Sequence, residues 1–322
     1  MLNICIIGKG SIGKKHAKIF KKLGHKVSFF RSLVIKKRIN SKEIYNYKKL
    51  SLLNFNLYVI CNPTSHHFSS IKKILKKNIN IFVEKPLVSS FNELKKLKNY
   101  YQKYKLNLFT GYVLRHDPRV VYIKNKIRKD LKKVKYANFF LQTYMPKWHP
   151  KENYKISYAA QKKLGGGVLL TCSHEIDLST FLFGEAKEVF CTYTKSFLKS
   201  DVENSVFLII KHKNNILSNI TLDFSSKQEE ERNFQIYLDK ISYFWDIKKK
   251  SITVHNNGNK YLKEIKKSSI SEIFHYQNRK IVNQIINKKR FKKNNFESLS
   301  HTEKIIFAAK KSNKIKRFIK IK

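Results

Sequence analysis

The rhythm of apolar positions changes near residue 118. Before it, short unbroken apolar runs alternate with segments of helical period; after it, strands of alternating character follow one another. Residues 2–7 are continuously apolar, as a parallel strand buried on both faces is. Ile12, Ala17, Ile19, Phe20 and Leu23 then mark a helix ending before Gly24. Residues 27–30, 57–61, 79–83 and 106–110 repeat the short apolar strand, an alternation that predicts a doubly wound parallel sheet. Beyond Pro118 a helix to about Asp130 leads into a long strand over 134–143. Runs at 188–197, 202–211, 217–224, 234–238, 242–247 and 251–255 then predict a mainly antiparallel sheet, with a hairpin turn at Asn214-Asn215. Helices over 271–286 and 301–311 close the chain, and the lysine-rich tail from Asn313 reads as a surface segment. The expected fold class is therefore α/β plus α+β, with a division into 1–118 and 119–322.

One segment breaks the second half's pattern. Gly165-Gly166-Gly167 is followed by Leu170, His174, Asp177, Leu178 and Phe181, spaced as one face of a single helix that Gly184 would cap. Three glycines leave the backbone bare, so a ligand or another backbone can approach. An imidazole and a carboxylate one turn apart on an apolar face serve either as a satisfied core pair or as functional groups.

The first strand runs into Gly8-Lys9-Gly10-Ser11-Ile12-Gly13 and then a helix, the context in which G-x-G-x-x-G signifies a dinucleotide site. The first glycine permits the tight turn, the second the approach of a pyrophosphate, and the third close helix–strand packing. An acid at the end of the second strand would receive the ribose hydroxyls of NAD. Here Arg31 and Ser32 stand there, with Lys36, Lys37 and Arg38 behind and no acid before Glu43. Cations and a hydroxyl suit a 2′-phosphate, so NADP is preferred over NAD. Asn62, Pro63, Thr64 and His67 sit at the end of the next strand as cofactor contacts, with Thr64 or Ser65 capping the helix that follows. Adjacent histidines at 66 and 67 diverge around a helix, which argues against a metal site. Glu84-Lys85-Pro86 closes another buried strand, where the ligand crevice of an open parallel sheet lies, so Glu84 and Lys85 join the expected cofactor contacts.

Composition changes this picture little. The chain has 322 residues with 68 Lys+Arg against 22 Asp+Glu, a net charge of +46. The excess is almost all lysine, scattered through every helix, while arginine, the better reader of phosphates and bases, is scarce. A solvated lysine coat is expected rather than a nucleic-acid partner. No apolar run approaches the roughly 20 residues of a membrane span, and the N-terminus lacks a signal-peptide pattern. Four singly placed cysteines, Cys5, Cys61, Cys172 and Cys191, read as reduced thiols of a cytoplasmic protein.

Taken together, Gly8-Lys9-Gly10-Ser11-Ile12-Gly13, Asn62-Pro63-Thr64, Glu84-Lys85-Pro86, Gly111-Tyr112 with Arg115, and Gly165-Gly166-Gly167 followed by His174 and Asp177 resemble the Gfo/Idh/MocA family. That family is named for glucose–fructose oxidoreductase, inositol dehydrogenase and rhizopine catabolism. The resemblance implies an N-terminal Rossmann domain and a C-terminal α+β domain whose open sheet often mediates oligomerisation. It also implies that substrate binds between the domains. A loop bearing Trp148 and Tyr154 ahead of the glycines is more loosely similar to members linked to bacterial surface-sugar synthesis.

The constellation supports hydride exchange between nicotinamide and a secondary alcohol or ketone of a sugar, nucleotide sugar or cyclitol. His174 is the expected base, and Lys85 the group that stabilises alkoxide charge and relays a proton. Arg115, Trp148, Tyr154, Thr171 and Asp177 complete the expected substrate contacts. One position departs from the pattern: family dehydrogenases commonly carry Asp one turn before the histidine, where this chain has Thr171. That departure keeps open a cofactor- or sugar-binding regulatory protein without catalysis.

Overall fold

The computed structural model describes residues 1–31, 43–44, 47, 50, 53–148, 153–194, 197–265, 268–287 and 295–321. They cluster into two compact units, Met1–Gly111 with Ile270–Ser300, and Tyr112–Ser269 with His301–Lys322.

The first unit is a six-stranded sheet, with strands β1 (Asn3–Ile7), β2 (Lys26–Phe30), β3 (Glu43–Ile44), β4 (Leu57–Ile60), β5 (Asn80–Val83) and β6 (Asn107–Thr110). Their order is β3-β2-β1-β4-β5-β6, and every neighbouring pair is parallel. That is the doubly wound order the apolar runs predict. Helices α1 (Ser11–Lys22), α2 (His67–Lys73) and α3 (Phe91–Lys103) link the strands. Burial explains why the runs are unbroken: Ile4, Cys5, Ile6, Leu57, Val59 and Ile60 are each fully enclosed.

The second unit carries α4 (Pro118–Lys129), α5 (Val168–Thr171) and α6 (His174–Phe183). Its strands are β7 (Val134–Gln142), β8 (Ala186–Tyr193), β9 (Ser205–His212), β10 (Leu217–Asp223), β11 (Glu231–Leu238), β12 (Ile241–Asp246), β13 (Ser251–Asn256) and β14 (Asn259–Glu264). Helices α7 (Ile270–Ile286), α8 (Phe296–Leu299) and α9 (His301–Ile315) and strand β15 (Ile319–Lys320) end the chain. The sheet order is β14-β13-β12-β11-β7-β10-β9-β8-β15. It is antiparallel except where β7 runs parallel to β10.

Several elements differ from the sequence-based expectation. α7 and α8 pack with the first unit rather than with 119–322, because Ile281, Val282 and Ile285 complete the apolar cluster of Leu2, Ile4, Phe20, Leu57 and Val59. The tail beyond Asn313 is largely exposed, as expected of a surface segment, but it ends in a strand, since Ile319 and Lys320 pair with Val189 and Glu188 on β8. β14 shows no apolar alternation because all six of its residues are exposed. The helix expected after the triple glycine is two helices: Cys172 leaves helical geometry at φ −107° and ψ 44°, and α6 restarts at His174.

Candidate functional site

The glycine turn of the first unit meets a test for a dinucleotide. Gly8 holds φ 105°, and a Cβ there would lie 2.8 Å from the backbone of Cys61 and Asn62. A Cβ on Gly13 would run into the carbonyl oxygen of Gly8. Both glycines are thus required by the protein's own packing. Gly10 is different, since a Cβ there would meet nothing within 4 Å. It precedes α1, whose first turn has neither a side-chain cap nor an acidic residue. Bare N–H groups of Ser11 and Ile12 beside an open glycine fit a pyrophosphate. Arg31 follows β2, where a ribose-binding acid would stand. Ser32, the other half of the 2′-phosphate expectation, lies outside the described residues, as do Lys36, Lys37 and Arg38.

The next two strand ends are tied to each other. Pro63 and Thr64 enter a 3-10 turn over Thr64–His66, and neither that turn nor α2 has a side-chain cap, so the capping expected of Thr64 or Ser65 is not made. Asn62 instead donates from Nδ2 to Ser70 Oγ at 2.8 Å. The His67 ring is buried, with Nδ1 2.9 Å from the Pro86 carbonyl and Nε2 2.9 Å from the Asn62 carbonyl. Both nitrogens are engaged by the chain, so His67 links the Asn62 turn to the Glu84-Lys85-Pro86 turn in place of the expected cofactor contact. Burial holds its pKa below the ordinary value, against the pull of the two carbonyls.

Glu84 follows β5, and its carboxylate is enclosed. Oε1 lies 2.8 Å from His16 Nε2, and Oε2 accepts from the Lys85 backbone N–H at 3.2 Å. A Cβ on Gly111 would sit 2.9 Å from that carboxyl group, so the glycine makes room for it. The Lys85-Pro86 bond is cis. His16, unremarked in the sequence reading, is fully buried; its spacing of four from both Ile12 and Phe20 was the available signal.

In the second unit, each glycine of the triplet answers to the chain itself. Gly165 ends a 3-10 turn at φ 79°. A Cβ on Gly166 would strike the backbone of Tyr158 and Ala159, and one on Gly167 the carboxyl group of Glu203. Glu203 accepts the Leu169 N–H at 3.3 Å, capping α5. Thr171 ends α5, and His174 opens α6, where it is 8% exposed. The Tyr112 ring stands edge-on to the His174 ring, centroids 5.9 Å apart.

Asp177 does not orient His174. Arg115 Nε and Nη2 donate to Asp177 Oδ2 and Oδ1 at 2.7 and 2.6 Å, and Thr302 Oγ1 donates to Oδ1 at 3.1 Å. Burial raises the Asp177 pKa and the Arg115 charge opposes that rise. Arg115 and Asp177 thus satisfy each other, which weakens the expectation that either contacts substrate. Tyr112 donates to Glu303 Oε1 at 2.9 Å; burial, then the Glu303 and Asp177 charges, hold its hydroxyl protonated far above neutrality. Thr302 and Glu303 escaped the sequence reading, as did the role of Tyr112, because nothing in spacing ties residue 112 to 303. Trp148 donates from Nε1 to Thr143 Oγ1 at 2.8 Å and packs edge-on to Phe224, so its polar edge anchors the loop to the sheet. Tyr154 lies in a partly exposed 3-10 turn over Tyr154–Ile156. Among the described residues no group of His, Cys, Asp and Glu could hold a metal ion.

A nucleotide-binding Rossmann unit joined to a mainly antiparallel sheet defines the class. Residues 2–112 match the oxidoreductase family's NAD-binding Rossmann fold, and residues 133–244 match the Gfo/Idh/MocA C-terminal domain. The chain belongs to the Gfo/Idh/MocA family of NAD-binding oxidoreductases. A comparison with curated proteins by sequence returns no match. Among solved structures, levoglucosan dehydrogenase in complex with NADH and L-sorbose is similar at a TM-score of 0.85 and 14% identity, covering 100% of this chain and 99% of that one. GenD2 from gentamicin A biosynthesis, in complex with NAD, gives 0.82 and 15%, covering 100% and 96%. An oxidoreductase from Desulfitobacterium hafniense described as NADPH-dependent gives 0.85 and 15%, covering 99% and 98%. At such identities the likeness establishes the shared fold.

Proposed function

We propose that this protein transfers hydride between NADP, or NAD, and a secondary alcohol or ketone of a sugar, nucleotide sugar or cyclitol. The observation that carries the reading is the tight glycine turn from β1 into the uncapped start of α1, in a doubly wound sheet whose strand end delivers Lys85. When bound, nicotinamide supplies the hydride chemistry. In the oxidative direction His174 takes the hydroxyl proton, since an imidazole titrates near neutrality. Lys85 holds the same oxygen and stabilises the developing alkoxide. This requires both residues to act on one substrate. Lys85→Ala and His174→Ala are each expected to abolish turnover, by about a thousandfold or more, while NADPH binding followed by nicotinamide fluorescence survives. Wild-type rates in both variants would remove the proposed site.

The cofactor preference rests on Arg31 in place of an acid. Solved relatives include an NADH complex, an NAD complex and one NADPH-dependent enzyme. Parallel titrations with NADPH and NADH decide it: tighter NADPH binding that Arg31→Ala abolishes is expected, and equal affinities would overturn it. Thr171 favours a second reading, a binding protein without catalysis, which tight NADPH binding with no turnover across a sugar and nucleotide-sugar panel would establish.

The assembly proposed is a homo-oligomer through the second unit's sheet. Tyr136, Phe207, Ile209 and Leu217 are exposed on adjacent strands, and the strand registers put them on one face. Sedimentation of the wild type against Phe207→Asp tests this, a monomeric wild type being the contrary result. A cytoplasmic setting is supported by four buried thiols; burial pushes Cys5 up to about 12, which keeps it unreactive. No described helix is long and apolar enough to cross a membrane.

A further inference from the structure

The first unit contains a buried polar chain that the proposed chemistry does not use. His16 on α1 and Asn278 on α7 are both fully enclosed, and Glu84 is 8% exposed. Phe20, Phe82 and Phe274 surround the imidazole, with ring centroids 6.2, 5.1 and 5.5 Å away. In so apolar a cage every polar atom needs a partner, and an unpaired charge is costly.

The two ends of the ring face different chemistry. Nε2 lies 2.8 Å from the Glu84 carboxylate. Nδ1 lies 2.9 Å from Asn278 Nδ2 and 3.1 Å from its Oδ1. If Oδ1 accepted from an Nδ1–H, a neutral ring would turn its Nε2 lone pair toward a carboxylate. If instead Asn278 Nδ2 donates to Nδ1, the proton of the neutral ring sits on Nε2 and is donated to Glu84. The second arrangement gives the Glu84 carboxylate a donor without a second buried charge, Asn278 Oδ1 giving up its contact with the ring, and the shorter amide contact agrees with it.

We propose that Asn278 and His16 are positioning residues for the Lys85 turn: Asn278 fixes the His16 tautomer, His16 fixes Glu84, and Glu84 fixes the Lys85 backbone. The last link is the Lys85 N–H donated to Glu84 Oε2 at 3.2 Å. Gly111 completes the seat, since any side chain there would meet the carboxyl group at 2.9 Å. This gives α7 a functional reason to return to the first unit. A helix more than 160 residues beyond β6 supplies the residue that sets the protonation of a histidine on α1. The inference rests on the reading of Lys85 as an active-site residue.

The test compares wild type with His16→Leu, His16→Gln, Asn278→Leu and Asn278→Asp by three measurements. Nitrogen NMR of histidine-labelled protein reads the tautomer. Acylation by acetic anhydride, followed peptide by peptide with mass spectrometry, reads Lys85 reactivity. Thermal melting reads stability. The expected wild-type ring is neutral and protonated at Nε2. Asn278→Asp, nearly isosteric, demands a donor and moves a proton onto Nδ1. Lys85 acylation changes about tenfold in His16→Leu and in both Asn278 variants, as altered surroundings of a lysine produce. His16→Gln, whose amide can still donate to Glu84, restores it. A wild-type ring protonated at Nδ1, or Lys85 reactivity that stays constant while melting temperatures fall, overturns the proposal. If Lys85 reactivity follows the variants but Lys85→Ala leaves NADPH binding and turnover intact, the clamp stands and the active-site reading of Lys85 falls.

Discussion

The two glycine-rich stretches look alike in sequence and differ in what fills the space they leave. At Gly8-Lys9-Gly10-Ser11-Ile12-Gly13 two glycines are occupied by the chain and one, Gly10, opens onto nothing within 4 Å. At Gly165-Gly166-Gly167 the bare backbone is used internally, by the Tyr158–Ala159 backbone and the Glu203 carboxylate. The lesson is that a glycine run marks a close approach but not what approaches. A neighbouring backbone or side chain in the Cβ position points to folding, whereas an open position, which Gly24, Gly184 and Gly258 share, points to a ligand only where an uncapped helix start such as that of α1 stands beside it.

Substitutions can break or sharpen this contrast. The largest effect is expected from Gly167→Ala, which combines a disfavoured φ of 101° with displacement of the Glu203 cap. It should lose about 3 kcal/mol in denaturant unfolding, with or without cofactor. A loss confined to NADPH affinity would return this stretch to the ligand-binding class.

The second unit's interior is closed on itself elsewhere too, and acid should open it. His212 is fully buried, with Nδ1 3.1 Å from the Gly184 carbonyl and Nε2 2.9 Å from Ser218 Oγ. A neutral ring satisfies both, and burial lowers its pKa from 6.5 to about 4. A depressed folded-state pKa means the stabilisation is present above the unfolded value and lost as pH falls. The window runs from 6.5 down through about 4. Its size is about 3 kcal/mol. Unfolding free energies measured at intervals between pH 7 and 4 should decline more steeply in wild type than in His212→Asn. His67, also lowered by burial, acts in the same direction in the first unit.

Gly13→Ala should cost about 2 kcal/mol, because its Cβ meets the Gly8 carbonyl and the β1–α1 turn has to open. Gly10→Ala is the smallest effect on stability, within about 0.5 kcal/mol. That variant should nevertheless weaken NADPH binding about tenfold or more, since the methyl group enters the space kept for the pyrophosphate. Unchanged NADPH affinity in Gly10→Ala would remove the distinction between the two stretches.

Much of this protein was legible in its sequence. Unbroken apolar runs identified a parallel sheet because both faces of such a sheet are buried, and alternation identified the antiparallel one. Glycine spacing after the first strand located the dinucleotide turn, because the backbone geometry there is local. Relations across the chain were not legible. Asp177 looked like a partner for His174 because helical period places them one turn apart, yet the Arg115 guanidinium and the Thr302 hydroxyl take its carboxylate. His67 looked like a ligand contact until two carbonyls enclosed its ring. Asn278 carried no signal at all, because its partner His16 is 262 positions away. Periodicity and turn chemistry are written within a few residues, so the sequence by itself determined most of the elements, the two sheets and the family. Which buried polar groups satisfy one another depends on segments brought together only by folding, and that the tertiary structure alone decided.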